Sequence, residues 1–235
     1  PVLPLLNEGI INCDNLTINL GAGVSGAGRD AKQNIIHSEV SEGVKPYNIG
    51  RHRHIAELEQ EFKKATNNKI DITFIPHLLP QNRGVLVSIP IDSPASIVHK
   101  TLKEFYSNAP FIIILPIEEI PATQHVRGSN YCNISVCESS KPGTVIVLST
   151  LDNLIKGSSG QAIQNANLMF DLDETLGLTS PPIYPWLTMI SKKKQRIRWL
   201  ISAIILIFIA TLIIGFSLKD GIEYYKSPTQ VLDHK

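Results

Sequence analysis

The chain has 235 residues, 43% of them hydrophobic, which suffices for one domain of ordinary size and a short apolar segment besides. Its 22 Lys and Arg against 21 Asp and Glu leave a net charge of +1, which argues against nucleic acid or another polyanion as a partner. The three cysteines, Cys13, Cys132 and Cys137, lack the paired spacing of a zinc site or a disulfide framework, so no metal is expected and a reducing compartment suits them.

The opening PVLPLL carries neither Met nor a signal-peptide pattern and reads as the interior of something longer. A strand-like run from Leu16 to Leu20 then leads into the glycine-rich stretch GAGVSGAGR. HIAELEQEFKKATNN places Ile55, Leu58 and Phe62 at helical spacing, and IDITFIP and GVLVSIPI follow as strands. SPASIVHKTLKEFYSN predicts a second helix, capped by Ser93, with Ile97, Thr101 and Phe105 on one face. PFIIILP and GTVIVLST are further strands, Cys132 and Cys137 lie in another strand-like stretch, and SGQAIQNANLMFDL predicts a last helix. There is no internal repeat. This order predicts an α+β domain with a mixed or mostly antiparallel sheet, covered by helices on one face.

Two clusters carry chemistry. In the glycine-rich stretch the missing side chains let backbone amides approach a ligand, while Ser25 and Arg29 add a hydroxyl and a cationic fork that suit a carboxylate or phosphate. A plain flexible turn is the competing reading, and the spacing is not the dinucleotide fingerprint. RHRH, residues 51–54, could place an imidazole general base beside an anion site, or could be a solvated helix start. On an extended backbone His52 and His54 would face opposite ways, so one of them would reach a shared site.

Trp199 to Leu218 is a 20-residue run without charge, long enough for a transmembrane helix. Lys192, Lys193, Lys194, Arg196 and Arg198 precede it, so residues 1–198 are expected in the cytoplasm, with 188–198 a basic linker, and 219–235 in the periplasm.

VSGAGR, PYNIGRHRHIAELEQ, TFIPHLLPQNRG, GSNYC and LDNLIKGSSGQAIQNANLMFDLDETLGL occur in an order that resembles the C-terminal two-thirds of the N-acetyl-γ-glutamyl-phosphate reductase family, over residues 1–187. The resemblance implies a semialdehyde dehydrogenase C-terminal, dimerisation and catalytic domain, a homo-oligomer, and NADP-dependent reduction of N-acetyl-glutamyl phosphate in arginine biosynthesis. In that family a cysteine thiolate attacks the acyl phosphate and the resulting thioester receives a hydride, splitting one displacement into two easier steps. His52 resembles the acid/base residue, with His54 the second choice. Ser25, Gly26 and Gly28 resemble cofactor contacts, as do Gln164 and Asn167, which could equally cap or bridge elements. Arg29, Arg83 and Asn130 resemble substrate contacts. The sequence departs from the family at Ala22, where serine is frequent, and at Ala56, where proline is usual. The family nucleophile precedes a helix similar to PVLPLLNEGII, and none of the three cysteines takes its place, so these residues alone are expected not to catalyse.

After Met189, the basic stretch, the apolar run and LKDGIEYYKSPTQV resemble the start of the cytochrome c maturation haem chaperone family. This implies an inner-membrane, single-pass anchor followed by an extracytoplasmic region, joined to the reductase part. Haem would concern only a chaperone domain that these residues do not include. The alternative function is accordingly that of a haem chaperone, of which this chain holds the anchor; a separate reductase part would be cytoplasmic.

Overall fold

The computed structural model describes residues 1–28, 30, 32–66 and 68–183, all within one compact unit, Pro1–Pro185. Arg29, the apolar run 199–218 and the region resembling a haem chaperone lie outside the described residues. Among the described residues no helix is long and apolar enough to cross a membrane.

A single seven-stranded mixed sheet organises the unit: β1 (Leu16–Gly23), β2 (Lys45–Pro46), β3 (Ile72–Leu79), β4 (Val85–Ile91), β5 (Ile112–Ile114), β6 (Cys132–Glu138) and β7 (Val145–Leu151). Their order is β2-β3-β1-β4-β7-β6-β5. β1 and β3 pair in parallel, as do β5 and β6, and every other neighbouring pair is antiparallel. A parallel pair needs a crossover connection. Helix α3 (His54–Ala65) lies in the crossover from β1 to β3, after the single turn α2 (His37–Val40), and α4 (Ala95–Phe105) connects β4 to β5.

Helices α1 (Val2–Asn7), α3 and α4 pack on one face of the sheet, where Ile18, Phe74, Ile89, Ile134, Val136 and Val147 form the core. Strand alternation selects that face: Leu16 and Ile18 are buried, whereas Thr17 and Asn19 between them are half-exposed. Phe62 of α3 is buried, with Ile55 and Leu58 packed beside it, as their helical spacing predicts.

The prediction for α4 needs correcting in two respects. Its buried face is Ala95, Val98 and Leu102, while Ile97 is 46% and Phe105 54% exposed. Both stripes have helical spacing, and only the sheet decides which one is covered. Nor does Ser93 cap the helix. Pro94 occupies the N-cap with extended backbone and no side-chain cap bond forms. β1 also runs on to Gly23, so the first glycines of the loop belong to the sheet.

Candidate functional site

The ends of four strands meet in one row: Ala22 of β1 faces Val85 of β4, Val85 faces Leu151 of β7, and Leu151 faces Cys132 of β6. The loops leaving this row carry most of the candidates. Backbone bonds join the glycine loop to the turn before β4, from Gly23 N to Gly84 O at 2.9 Å, Val24 N to Gln81 O at 2.9 Å and Ser25 N to Asn82 O at 3.2 Å. A Cβ on Gly23 would lie 2.9 Å from the Asn82 carbonyl, so the strand end can approach that turn only without a side chain.

Side chains complete the join. Ser25 Oγ donates to Asn82 O at 2.5 Å and accepts from Asn153 Nδ2 at 2.9 Å, while Asn153 Oδ1 accepts from Gly84 N at 2.7 Å. The Ser25 hydroxyl therefore has its proton and one lone pair in use, and toward a ligand it can accept but not donate. That narrows the role expected for it beside a carboxylate or phosphate. Gly26 and Gly28 remain exposed. An added Cβ would meet nothing within 4 Å at Gly28 and only Asn153 Nδ2, at 3.7 Å, at Gly26.

Asp152, with no exposed surface, accepts hydrogen bonds from Gly128 N at 2.7 Å, Leu154 N at 2.8 Å and Ile155 N at 3.2 Å. Arg83 Nε lies 3.2 Å from its Oδ2, close enough for an ion pair. The same Nε has no aligned hydrogen-bond acceptor, so the contact is one of charge. The Arg83 Nε edge is thus turned toward Asp152.

Asn130, Gln164 and Asn167 belong to a second cluster, at the start of α5 (Gly160–Met169), which follows a π-helical turn, Ile155–Ser159. Gln164 Oε1 accepts from Asn130 Nδ2 at 3.0 Å and from Lys156 Nζ at 2.7 Å, and Gln164 Nε2 donates to Glu174 at 2.7 Å. Asn167 Nδ2 donates to the carbonyls of Glu174 and Leu176. Burial pulls the Lys156 ammonium below its ordinary value, and Cys132 and Glu174 oppose the shift. Gln164 and Asn167 are buried and bridge elements, the second of the roles their sequence allows. Asp152, Asn153, Lys156 and Glu174 were missed by sequence reasoning. The available signal was LDNLIKGSSG, two polar residues ending an apolar strand, which gives no partner for either.

His52 stands apart from both clusters. Its ring packs on Phe74, with centroids 5.0 Å apart, and Phe74 lies five residues before Leu79, the partner of Gly23; that is about 16 Å of strand at roughly 3.3 Å per residue. Tyr47 and His54 contact the same ring edge-on, at 5.5 and 4.6 Å. The two histidines touch instead of facing opposite ways because Arg53 between them is helical, not extended. His54 N donates to His52 Nδ1 at 3.2 Å, which assigns the proton of the neutral ring to Nε2.

Burial first, then the charges of His54 and Arg53, pull His52 below its ordinary 6.5, with Glu57 acting the other way. A folded-state value under the unfolded one means that the unfolded chain binds more protons between the two. The contribution of His52 to stability is thus complete above 6.5 and is lost as the pH falls from there through the folded value. An NMR titration of the His52 ring should show a midpoint below 6.5, and a midpoint at or above it would remove this pH dependence.

The cysteines are poorly suited to nucleophilic attack in this unit. Cys13 and Cys132 are buried, and desolvation raises both thiols, assisted at Cys13 by Asp14. Cys137 is partly buried near the far end of β6 from the four-strand row.

Residues 1–153 match the family model described as semialdehyde dehydrogenase, dimerisation domain. The chain is 49% identical over 183 residues to the N-acetyl-gamma-glutamyl-phosphate reductase of Roseobacter denitrificans, which covers 77% of this chain and 54% of that protein. Against the enzyme of the same name from Cereibacter sphaeroides the identity is 47% over 185 residues, covering 78% and 54%. The chain thus spans about half the length of these relatives. Its fold is also similar to the crystal structure of aspartate semialdehyde dehydrogenase II from Vibrio cholerae, with a TM-score of 0.56 at 16% identity, over 72% of this chain and 59% of that one. With the family model covering well over half of its length, the chain belongs to the semialdehyde dehydrogenase dimerisation-domain family.

Proposed function

We propose that residues 1–183 are the dimerisation part of an N-acetyl-γ-glutamyl-phosphate reductase, acting as a homo-oligomer with NADP as cofactor. The observation that carries this reading is the 49% identity sustained over 183 residues. The geometry fits a nucleotide cofactor in part. Ser25, Gly26 and Gly28 offer an open loop that a ligand could approach closely, whereas Gln164 and Asn167 are turned inward. When bound, the cofactor would supply the hydride. The residues described here would orient it through the glycine loop and hold a proton at His52 Nε2, and the burial of Cys13 and Cys132 supports a nucleophile that is neither of them.

The test joins residues 1–183 to the preceding portion of the Roseobacter denitrificans enzyme. The joined protein should oxidise NADPH in the presence of N-acetyl-glutamyl phosphate, and the 235-residue chain alone should not. A folded joined protein without turnover overturns the reductase reading. Turnover by the chain alone overturns the exclusion of its cysteines.

We infer separately, from the uncharged 20-residue run, that residues 199–218 anchor the chain in a membrane. The alternative reading as a haem chaperone anchor rests on the same run and on residues 219–235. Recovery of the full chain in the soluble fraction after cell breakage would refute the anchor.

A further inference from the structure

We propose that Asn153, supported by Asp152, is a positioning residue that fixes the glycine loop and the orientation of the Ser25 hydroxyl. The inference stands on hydrogen bonds alone and holds or fails independently of the reductase reading. Four loops leave the row of strand ends; the dipeptide lies on the one after β7, and the other three are each tied to it. The glycine loop is held through Ser25 Oγ to Asn153 Nδ2, the turn before β4 through Gly84 N to Asn153 Oδ1, and the turn before β6 through Gly128 N to Asp152 Oδ2. The two ends of the Asn153 amide thus serve two different loops.

The amide has to be oriented as it is. Gly84 N is a donor and can only face Oδ1, which leaves Nδ2 to face Ser25. Because Nδ2 donates to Ser25 Oγ, the hydroxyl proton has to go elsewhere, and it goes to Asn82 O. Side-chain size plays no part in this: exchanging the Nδ2 donor for an acceptor is enough to redirect the Ser25 hydroxyl.

Asn153→Asp makes that exchange with little change of shape. One carboxylate oxygen still accepts from Gly84 N, but the other cannot donate to Ser25, whose proton turns toward it and leaves Asn82 O.

The experiment follows amide hydrogen exchange by NMR in the 235-residue chain. In Asn153→Ala the Gly84 amide, which loses its acceptor, should exchange about fivefold to tenfold faster, and the Ser25 amide, bonded to Asn82 O, should follow as the glycine loop loses the tie through its hydroxyl. In Asn153→Asp the Gly84 amide should return to the original rate while the Ser25 amide stays fast, because the hydroxyl no longer helps hold the glycine loop on Asn82 O. A merely structural role would move both amides together and would spread to the amides pairing β4 with β7. Unchanged rates in Asn153→Ala, or rescue of both amides by Asn153→Asp, would overturn the proposal. If Asn153→Ala does not fold, the split between the two amides in Asn153→Asp decides alone.

Discussion

Replacing Asp152 by alanine should destabilise the unit by about 3–5 kcal/mol, the range for removing one partner of a buried ion pair. The carboxylate is fully buried and receives three backbone N–H groups besides the Arg83 contact, so its loss leaves those donors and a guanidinium without their acceptor. Arg83 keeps 23% of its side-chain surface exposed and can recover some hydration, which places the expected value toward the lower end. Urea denaturation of the two proteins measures the difference. A loss under about 1 kcal/mol would mean that the contact behaves as a surface ion pair and that Asp152 does not anchor the loops.

Gly160→Ala is the second large effect, and its sign runs against helix propensity. Within a helix, alanine in place of glycine ordinarily gains about 1 kcal/mol. Here a Cβ would lie 2.4 Å from Asn130 Oδ1, 2.8 Å from Ile155 Cγ2 and 2.9 Å from the Ile155 carbonyl oxygen. Asn130 is 1% exposed and bonded to Gln164, so it can yield only by breaking that bond, and the π-helical turn would have to shift as well. The net result should be a destabilisation of about 1–3 kcal/mol, as for overpacking elsewhere. Thermal unfolding checks it: an unchanged or raised melting temperature would show that the Asn130 cluster is soft.

The elements were largely legible in the residues because burial imposes a period on them. The strand-like run of β1 and the Ile55, Leu58, Phe62 spacing in α3 are local patterns, and each recurs in the structure. The same logic failed for α4, where Ile97, Thr101 and Phe105 form as regular a stripe as Ala95, Val98 and Leu102. Periodicity says that a helix has faces; which face is covered depends on the sheet beneath it.

The sequence by itself determined the family, the α+β order of elements, the glycine loop and the histidine pair, since these rest on residue identity and short-range spacing. Tertiary structure alone decided what the polar residues do. Asn153 meets Ser25 across 128 positions and Asp152 meets Gly128 across 24, through a strand order that no local pattern encodes. It also separated His52 from the glycine loop and turned Gln164 and Asn167 inward. A polar side chain is read from sequence as a donor or acceptor, but its role follows from which partner the fold brings within about 3 Å.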